Sequence, residues 1–344
     1  MNSVERVKAV ITGQIPDRVP VCIHNCFMAQ REAGIPMAQY RTDPEAVAQA
    51  YLISLEKYGQ DILQLDIDTT MMAEGMGAIG EFSEDEPAKI VVPAIQSLDE
   101  VDKLRVVDPA KDARIPVLVE ATRNLAKQVG SEVAIRGNAD QAAFDLACLV
   151  LGISKFLEAL AAEPDNPNIF KLLDVCYRSH LAVHKALYAA GATFTSMGDS
   201  LCGPDVCSPR AFRKFGRPFE ERLVKDLAPD GIFTVIHICG DTTLILDQLA
   251  EYDFCGLELD YKTDAVKAKQ TVGQRHVLFG NIEPSGVLAL GTPDYVRQKT
   301  RELISIWKPG GLFVLNSGCT LPATTPSENI RTFVQTAHEA GVYA

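Results

Sequence analysis

Eight short runs rich in β-branched or apolar residues recur along the chain, and most are separated by segments with helical periodicity. The runs are RVPVCIH (18–24), DILQLDID (61–68), EVAIRGNA (132–139), ATFTSMGD (192–199), FTVIHICG (233–240), CGLELD (255–260), HVLFGNIE (276–283) and LFVLNSGC (312–319). Strand alternating with helix makes a parallel sheet with helices outside it. Eight such units predict an α/β chain folded as a closed (β/α)8 TIM barrel. No GxGxxG follows a strand, and the glycine pattern does not fit a P-loop, so a doubly wound nucleotide fold is disfavoured. We read residues 1–344 as one barrel domain. Residues 78–109 are too long for a connector and include the acidic EFSEDEPAK, so they read as an insertion, a small hairpin or lid.

Several helices carry start signals. Asp43-Pro44, Ser208-Pro209 and Thr292-Pro293 each place a capping side chain before a proline at the first helical position. Thr325-Pro326-Ser327-Glu328 predicts a capping box, in which the threonine hydroxyl accepts from the third helical amide and Glu328 reaches back. Pro218 is expected to kink the helix that opens at Pro209. The most apolar stretch, 142–162, carries Asp145, Lys155 and Glu158 and reads as an amphipathic helix rather than a membrane span.

Charge and cysteine content narrow the function. With 33 basic and 45 acidic side chains, the formal net charge is −12, which makes the chain a poor general binder of nucleic-acid phosphates. Apolar residues at 47% and charged residues at 23% are ordinary globular values and exclude a disordered chain. The opening MNSVERVKAVITG breaks any apolar leader with Glu5, Arg6 and Lys8. Nine cysteines, an odd number spread along the chain, then point to the cytoplasm and to reduced thiols, where clustering suggests metal or catalysis.

A barrel puts its chemistry at the carboxyl ends of its strands. Those ends carry His24, Asn25 and Cys26, then Asp66 and Asp68, then Asn138 and Asp140, then Asp199. The later ends carry His237 and Cys239, Glu258 and Asp260, Asn281 and Glu283, and Ser317 and Cys319. Polar groups gathered at one end of an apolar barrel cost free energy unless they are paired or used. Within this ring, His237 and Cys239 are two apart, so they share a strand face at a spacing of about 7 Å. Cys319 ends the last strand and can face the same axis after closure. Asp260, on the neighbouring strand, could add an oxygen. Two thiolates with an imidazole suit zinc. Packing is the competing reading, since cysteine is among the most buried residue types.

Other candidates weigh less. His180 and His184 sit one helical turn apart, but no glutamate follows the first, so they read as a helix face. Cys202 and Cys207 read as packing thiols. Cys22 and Cys26 flank His24 and could lie near the site. Met71, Met72 and Met76 would line the loop after the second strand as gap-fillers.

On IPDRVPV (15–21), EGMG (74–77), CSPRAFRKF (207–215), GNIEP (280–284) and NSGCTLPATTPSENI (316–330), the chain resembles the uroporphyrinogen decarboxylase superfamily nearly end to end. HICG (237–240) and SGC (317–319) are similar to its zinc branch, methyltransferases that work with methylcorrinoid proteins. The resemblance implies zinc on His237, Cys239 and Cys319, with an acidic residue at Asp260 able to complete the shell. It implies a methyl group moving between a corrinoid (cobalamin) protein and a small-molecule thiol. This chain has no DxHxxG corrinoid motif of its own, so a partner protein would carry the cofactor. Asp260 and Asp68 are the catalytic candidates. His24, Asn138, Asp140, Asp199 and Asn281 are the substrate-binding candidates.

The chain departs from the decarboxylases themselves. They carry an arginine-rich motif after the first strand, where this chain has CIHNCFMAQREAG with no arginine at the strand end. Their histidine at the last glycine-rich strand end is Cys319 here. Asp68 matches their pyrrole-binding aspartate, which alone is insufficient. Three alternatives stay open. One is transfer from a methoxylated aromatic, methanol or methylamine onto the corrinoid. The others are decarboxylation and a non-catalytic docking scaffold. A homodimer is a further family expectation.

Overall fold

The computed structural model describes residues 1–84 and 86–343; Asp85, inside the predicted insertion, and Ala344 lie outside the described residues. Ten strands follow in chain order among them. They are β1 (Cys22–Ile23), β2 (Ile62–Leu65), β3 (Ile79–Glu81), β4 (Lys89–Val92), β5 (Ala134–Asn138), β6 (Phe194–Gly198), β7 (Thr234–Ile238), β8 (Gly256–Leu259), β9 (Val277–Ile282) and β10 (Phe313–Ser317). Eight of them form one parallel sheet in the order β1-β2-β5-β6-β7-β8-β9-β10, each inside one of the predicted runs. The ring closes where Val21 bridges Leu315, whose amide donates to the Pro20 carbonyl at 2.9 Å. The architecture is the predicted TIM barrel.

The opening helix, Ser3–Ile11, closes the end opposite the strand exits. Its Val7 and Val10 pack with Cys22, Ile62, Phe194 and Val235, which lie at or near the strand starts. Arg6 and Arg18 from this end pair with the fully buried Asp61, each at 2.7 Å. One mouth of the barrel is therefore plugged with apolar side chains and a satisfied ion pair. Polar chemistry is confined to the other.

The stretch 78–109 contains the antiparallel hairpin β3–β4 and a short 3-10 turn, Leu98–Lys103. Arg114 anchors it. Its guanidinium bonds Asp68 and Glu74 and lies 4.7 Å from the centre of the Phe82 ring.

Local signals held where nothing non-local competed. Asp43 caps the helix Pro44–Tyr58, Ser208 caps Pro209–Ala211 and Thr292 caps Pro293–Trp307. The helical segment after Ser208 loosens into a π turn over Phe212–Gly216 before Pro218 opens the helix Arg217–Leu227, the break that proline requires. Two expectations are corrected. The last helix starts at Ser327, and the Thr325 hydroxyl donates to the Pro322 carbonyl at 2.7 Å, so no capping box forms. The apolar stretch 142–162 is two helices, Ala143–Leu151 and Ile153–Ala162, separated at Gly152, whose φ of +98° lies outside the helical region. Among the described residues no helix is long and apolar enough to cross a membrane.

Candidate metal centre and its surroundings

His237 is the fourth residue of β7, and Cys239 follows the strand's last residue, so the pleat turns both side chains the same way. The His237 Nε2 lies 3.1 Å from the Cys239 sulfur. Cys319 comes two residues after β10, and its sulfur lies 3.6 Å from that of Cys239. The three donor atoms all fall within 4.8 Å of one another. Gly318 makes this approach possible, because a Cβ there would stand 2.5 Å from the backbone nitrogen of Tyr261.

Two contacts aim the imidazole. Its Nδ1 donates to the Glu258 carbonyl at 3.0 Å, which turns Nε2 toward the sulfurs, the nitrogen that would bind a metal once it gives up its proton. Beneath it, the buried Glu258 carboxylate is gripped by the buried Arg136 and by the side-chain amide of Asn316. Burial opposes the Glu258 charge, but Arg136 and then His237 hold its carboxyl down at about 2.

The cluster favours thiolate. A hydrogen bond from Cys319 and the charge of the His237 ring pull the Cys239 thiol down to about 3 against its burial, and the same hydrogen bond pushes Cys319 up. Burial works against the His237 charge, yet the Cys239 sulfur outweighs it and raises the ring to about 10. Tetrahedral zinc with metal–sulfur bonds of about 2.3 Å sets its sulfurs roughly 3.8 Å apart. The observed sulfur spacing is close to that, and the donor set is the one zinc prefers, so these residues fit the ion.

The remaining sequence candidates separate into two groups. Four of them act as braces. Asp260 lies outside the donor cluster: one oxygen accepts from the Gly240 amide and the other from Lys262, each at 3.0 Å, tying the loops after β7 and β8 together. Asn281 donates to the Asp260 and Thr263 carbonyls, both at 3.3 Å. Asp68 is bound by Arg114 and Thr70. The Asp199 carboxylate accepts from the Asp145 amide at 2.9 Å, in a buried acidic group with Asp145 and Glu220. Burial, with the neighbouring carboxylates, pushes Asp145 and Glu220 up.

A second group faces the mouth. His24 Nε2 meets the Thr320 hydroxyl at 2.9 Å, so it touches the residue next to Cys319. It also stands 3.8 Å from Asp66, whose other neighbour is the Asn138 amide at 3.1 Å. His24, Cys26 and Asp66 form a second set of converging donors. Cys26 opens the helix Cys26–Glu32 instead of continuing the first strand. Asp140 keeps some exposure at the mouth. Its surroundings and then Asp66 push its carboxyl up to about 7, while His24 and His237 pull it back.

His180 and His184 are buried on the helix Pro167–Ala189 and meet through their Nε2 atoms at 2.9 Å, with His184 Nδ1 on the Thr195 hydroxyl. Met71 and Met72 are buried filler, and Cys202 and Cys207 are buried thiols. Arg136 and Thr320 were not singled out from sequence. An arginine inside an otherwise apolar strand was the signal for the first, since such a charge demands a buried partner.

The chain shows likeness to known proteins over almost all its length. The family description Uroporphyrinogen decarboxylase (URO-D) matches residues 2–340. The methylcobamide:CoM methyltransferase MtaA of Methanosarcina barkeri is 29% identical over 342 residues, 97% of each chain. A uroporphyrinogen decarboxylase of Carboxydothermus hydrogenoformans is 28% identical over 90% of each. Among solved structures, a methyltransferase from Methanosarcina mazei matches with a TM-score of 0.89 at 25% identity, over 98% of this chain and 99% of that one.

Proposed function

The chain belongs to the uroporphyrinogen decarboxylase family, and on that premise we propose that it is a zinc-dependent methyltransferase moving a methyl group between a corrinoid protein and a thiol. The observation that carries this reading is the convergence of His237 Nε2, Cys239 Sγ and Cys319 Sγ. A zinc ion held there would lower the pKa of an incoming thiol, so that thiolate is available at neutral pH. Three protein ligands leave a tetrahedral ion one exchangeable position, the arrangement of catalytic rather than closed structural sites. That distinction weighs against a mere docking scaffold.

This chain's own residues would do the positioning. Glu258 holds the His237 tautomer, and Asp260 fixes the turn at Gly240 that follows Cys239. The methyl group would come from cobalt of a corrinoid bound to a partner protein. It would pass to the thiolate sulfur without its bonding pair, which stays behind and leaves cobalt(I); the thiol proton goes to solvent. The proposal places the chain in the cytoplasm, where thiols stay reduced.

The test is the visible spectrum of methylcobalamin incubated with zinc-loaded protein and a panel of thiols. Loss of the cobalt–methyl bond only with both zinc and a thiol supports the reading. Corrinoid methylation from a methoxylated aromatic, methanol or methylamine would instead assign the opposite direction. The decarboxylase reading finds little support at the mouth, where Arg114 is bonded to Asp68 and Glu74 and so is not free for substrate carboxylates. Coproporphyrinogen formation from uroporphyrinogen would revive it.

A further inference from the structure

The barrel mouth beside the metal centre holds a pair of acids that no lysine or arginine pairs with among the described residues, with His24, 3.8 Å from Asp66, the nearby group that protonation can charge. Asp66 is 5% exposed. One of its oxygens accepts from Asn138, and the other, Oδ1, is buried without a partner. Leaving a buried charged acceptor unsatisfied costs on the order of 1–3 kcal/mol or more, so this oxygen is shaped for a donor that arrives from outside. Asp140 follows β5, the neighbour of β2 in the barrel, as Asp66 follows β2, so both acids stand at adjoining strand ends, and Asp66 is close enough to help push the Asp140 carboxyl up. Among the described residues no lysine or arginine pairs with either acid within 4.0 Å. The three nearby arginines are committed elsewhere. Arg114 holds Asp68 and Glu74, Arg136 holds Glu258, and Arg41 donates through its terminal nitrogens to the Ser83 and Glu86 carbonyls, its Nε lacking a hydrogen bond but standing 3.6 Å from Asp68. His24 directs its Nε2 to Thr320 at 2.9 Å and stands beyond hydrogen-bond reach of Asp66.

The metal does not reverse this balance. A divalent zinc with two thiolates and a neutral imidazole sums to zero charge, so it offers no excess positive field to a substrate's far end. An anionic tail, such as a sulfonate or carboxylate, would face two acids in a confined space with no compensating guanidinium. An ammonium tail would supply both the missing charge and the missing N–H donor. Thr320, which joins His24 to the sequence position beside Cys319, keeps the two halves of the mouth close, as a short substrate requires.

Resting on the methyltransfer reading above, we propose that the thiol partner of this site is a short aminothiol, whose ammonium group pairs with Asp66 and Asp140 while its sulfur reaches the metal centre.

Calorimetric titration of the zinc-loaded full chain tests this without requiring methyl transfer. The probes are 2-aminoethanethiol, 2-mercaptoethanol and 2-mercaptoethanesulfonate at one pH. The amine should bind at least about tenfold tighter than the sulfonate, and Asp66→Asn should reduce that preference about tenfold or more. Taking the ratio between wild type and variant cancels the intrinsic reactivity of each thiol. Asp140→Asn should move the ratio the same way and serves if the first variant misfolds; one equivalent of zinc certifies folding in each. Tighter binding of the sulfonate, an unchanged ratio in both variants, or a second equivalent of zinc lost in Asp66→Asn would overturn the proposal. Methyl loss from methylcobalamin is read in parallel. If the amine preference holds but no thiol removes the methyl group, the methyltransfer reading fails and the pocket chemistry stands.

Discussion

The Nδ1 of His237 lies 3.0 Å from the carbonyl oxygen of Glu258, one strand over, and Nε2 in consequence points at the Cys239 sulfur. One residue thus serves the centre twice. Its backbone carbonyl orients the ring proposed to bind metal. Its carboxylate, locked by Arg136 and 3.8 Å from the same nitrogen, places a fixed negative charge behind that ring. Such partners raise ligand basicity and fix ring orientation.

Glu258→Gln should weaken zinc binding by about tenfold or more, read by competition with a chromogenic chelator. It also strands Arg136 in the barrel interior, so urea unfolding should show a loss of about 3–5 kcal/mol. Arg136→Met with Glu258→Leu should recover much of that stability, because removing both charges leaves none uncompensated. A double variant as unstable as the single one would show that the pair matters for more than its charge balance.

Cys239→Ala and Cys319→Ala should each abolish zinc retention after dialysis and thiol-dependent demethylation of methylcobalamin. Cys207→Ala, which alters a thiol outside the cluster, should keep one equivalent. Full zinc content in either of the first two variants would mean that the ligand set is wrong.

The buried pair His180 and His184 predicts a pH dependence of stability. Burial pushes His180 down to about 3 and His184 well below the ordinary histidine value. Below about pH 6.5 the unfolded chain takes up protons that the folded chain refuses, so stability is fully present above that pH and falls as pH drops toward 3. Each excluded proton costs about 1.4 kcal/mol per pH unit. The stability gap between wild type and His180→Gln should therefore shift against the wild type on moving from pH 7 to pH 5, by urea midpoints. A pH-independent gap would show that His180 titrates in the fold as it does in the unfolded chain.

Arg114→Met should loosen the β3–β4 hairpin. The guanidinium joins Asp68 and Glu74 and stacks near Phe82, so its loss leaves two carboxylates facing each other beside the hairpin. Hydrogen exchange across 79–92 should accelerate at least about tenfold, while exchange in β7–β9 stays unchanged. Equal protection in wild type and variant would remove Arg114 as the anchor.

Much of the fold was legible because its signals are local. Each barrel strand falls inside a run recognisable by residue type, and Asp43, Ser208 and Thr292 cap as read. The failures have a common cause. Thr325 carried a valid capping pattern, but the turn at Pro322 took its hydroxyl. The stretch 142–162 had helical periodicity throughout, and one glycine in a left-handed conformation divided it.

The sequence by itself determined which side chains stand at strand ends and which face they share, because pleat and helical repeat are properties of neighbouring residues. That sufficed to pair His237 with Cys239. Barrel closure alone decided that Cys319, 80 positions away, comes within 3.6 Å of Cys239. It also decided how the strand-end carboxylates divide. Asp68 is held by an arginine that precedes a later helix and Asp260 by amides of two loops, while an oxygen of Asp66 is left without a partner. A carboxylate's role depends on which donors reach it, and those donors come from parts of the chain that only the closed ring brings together.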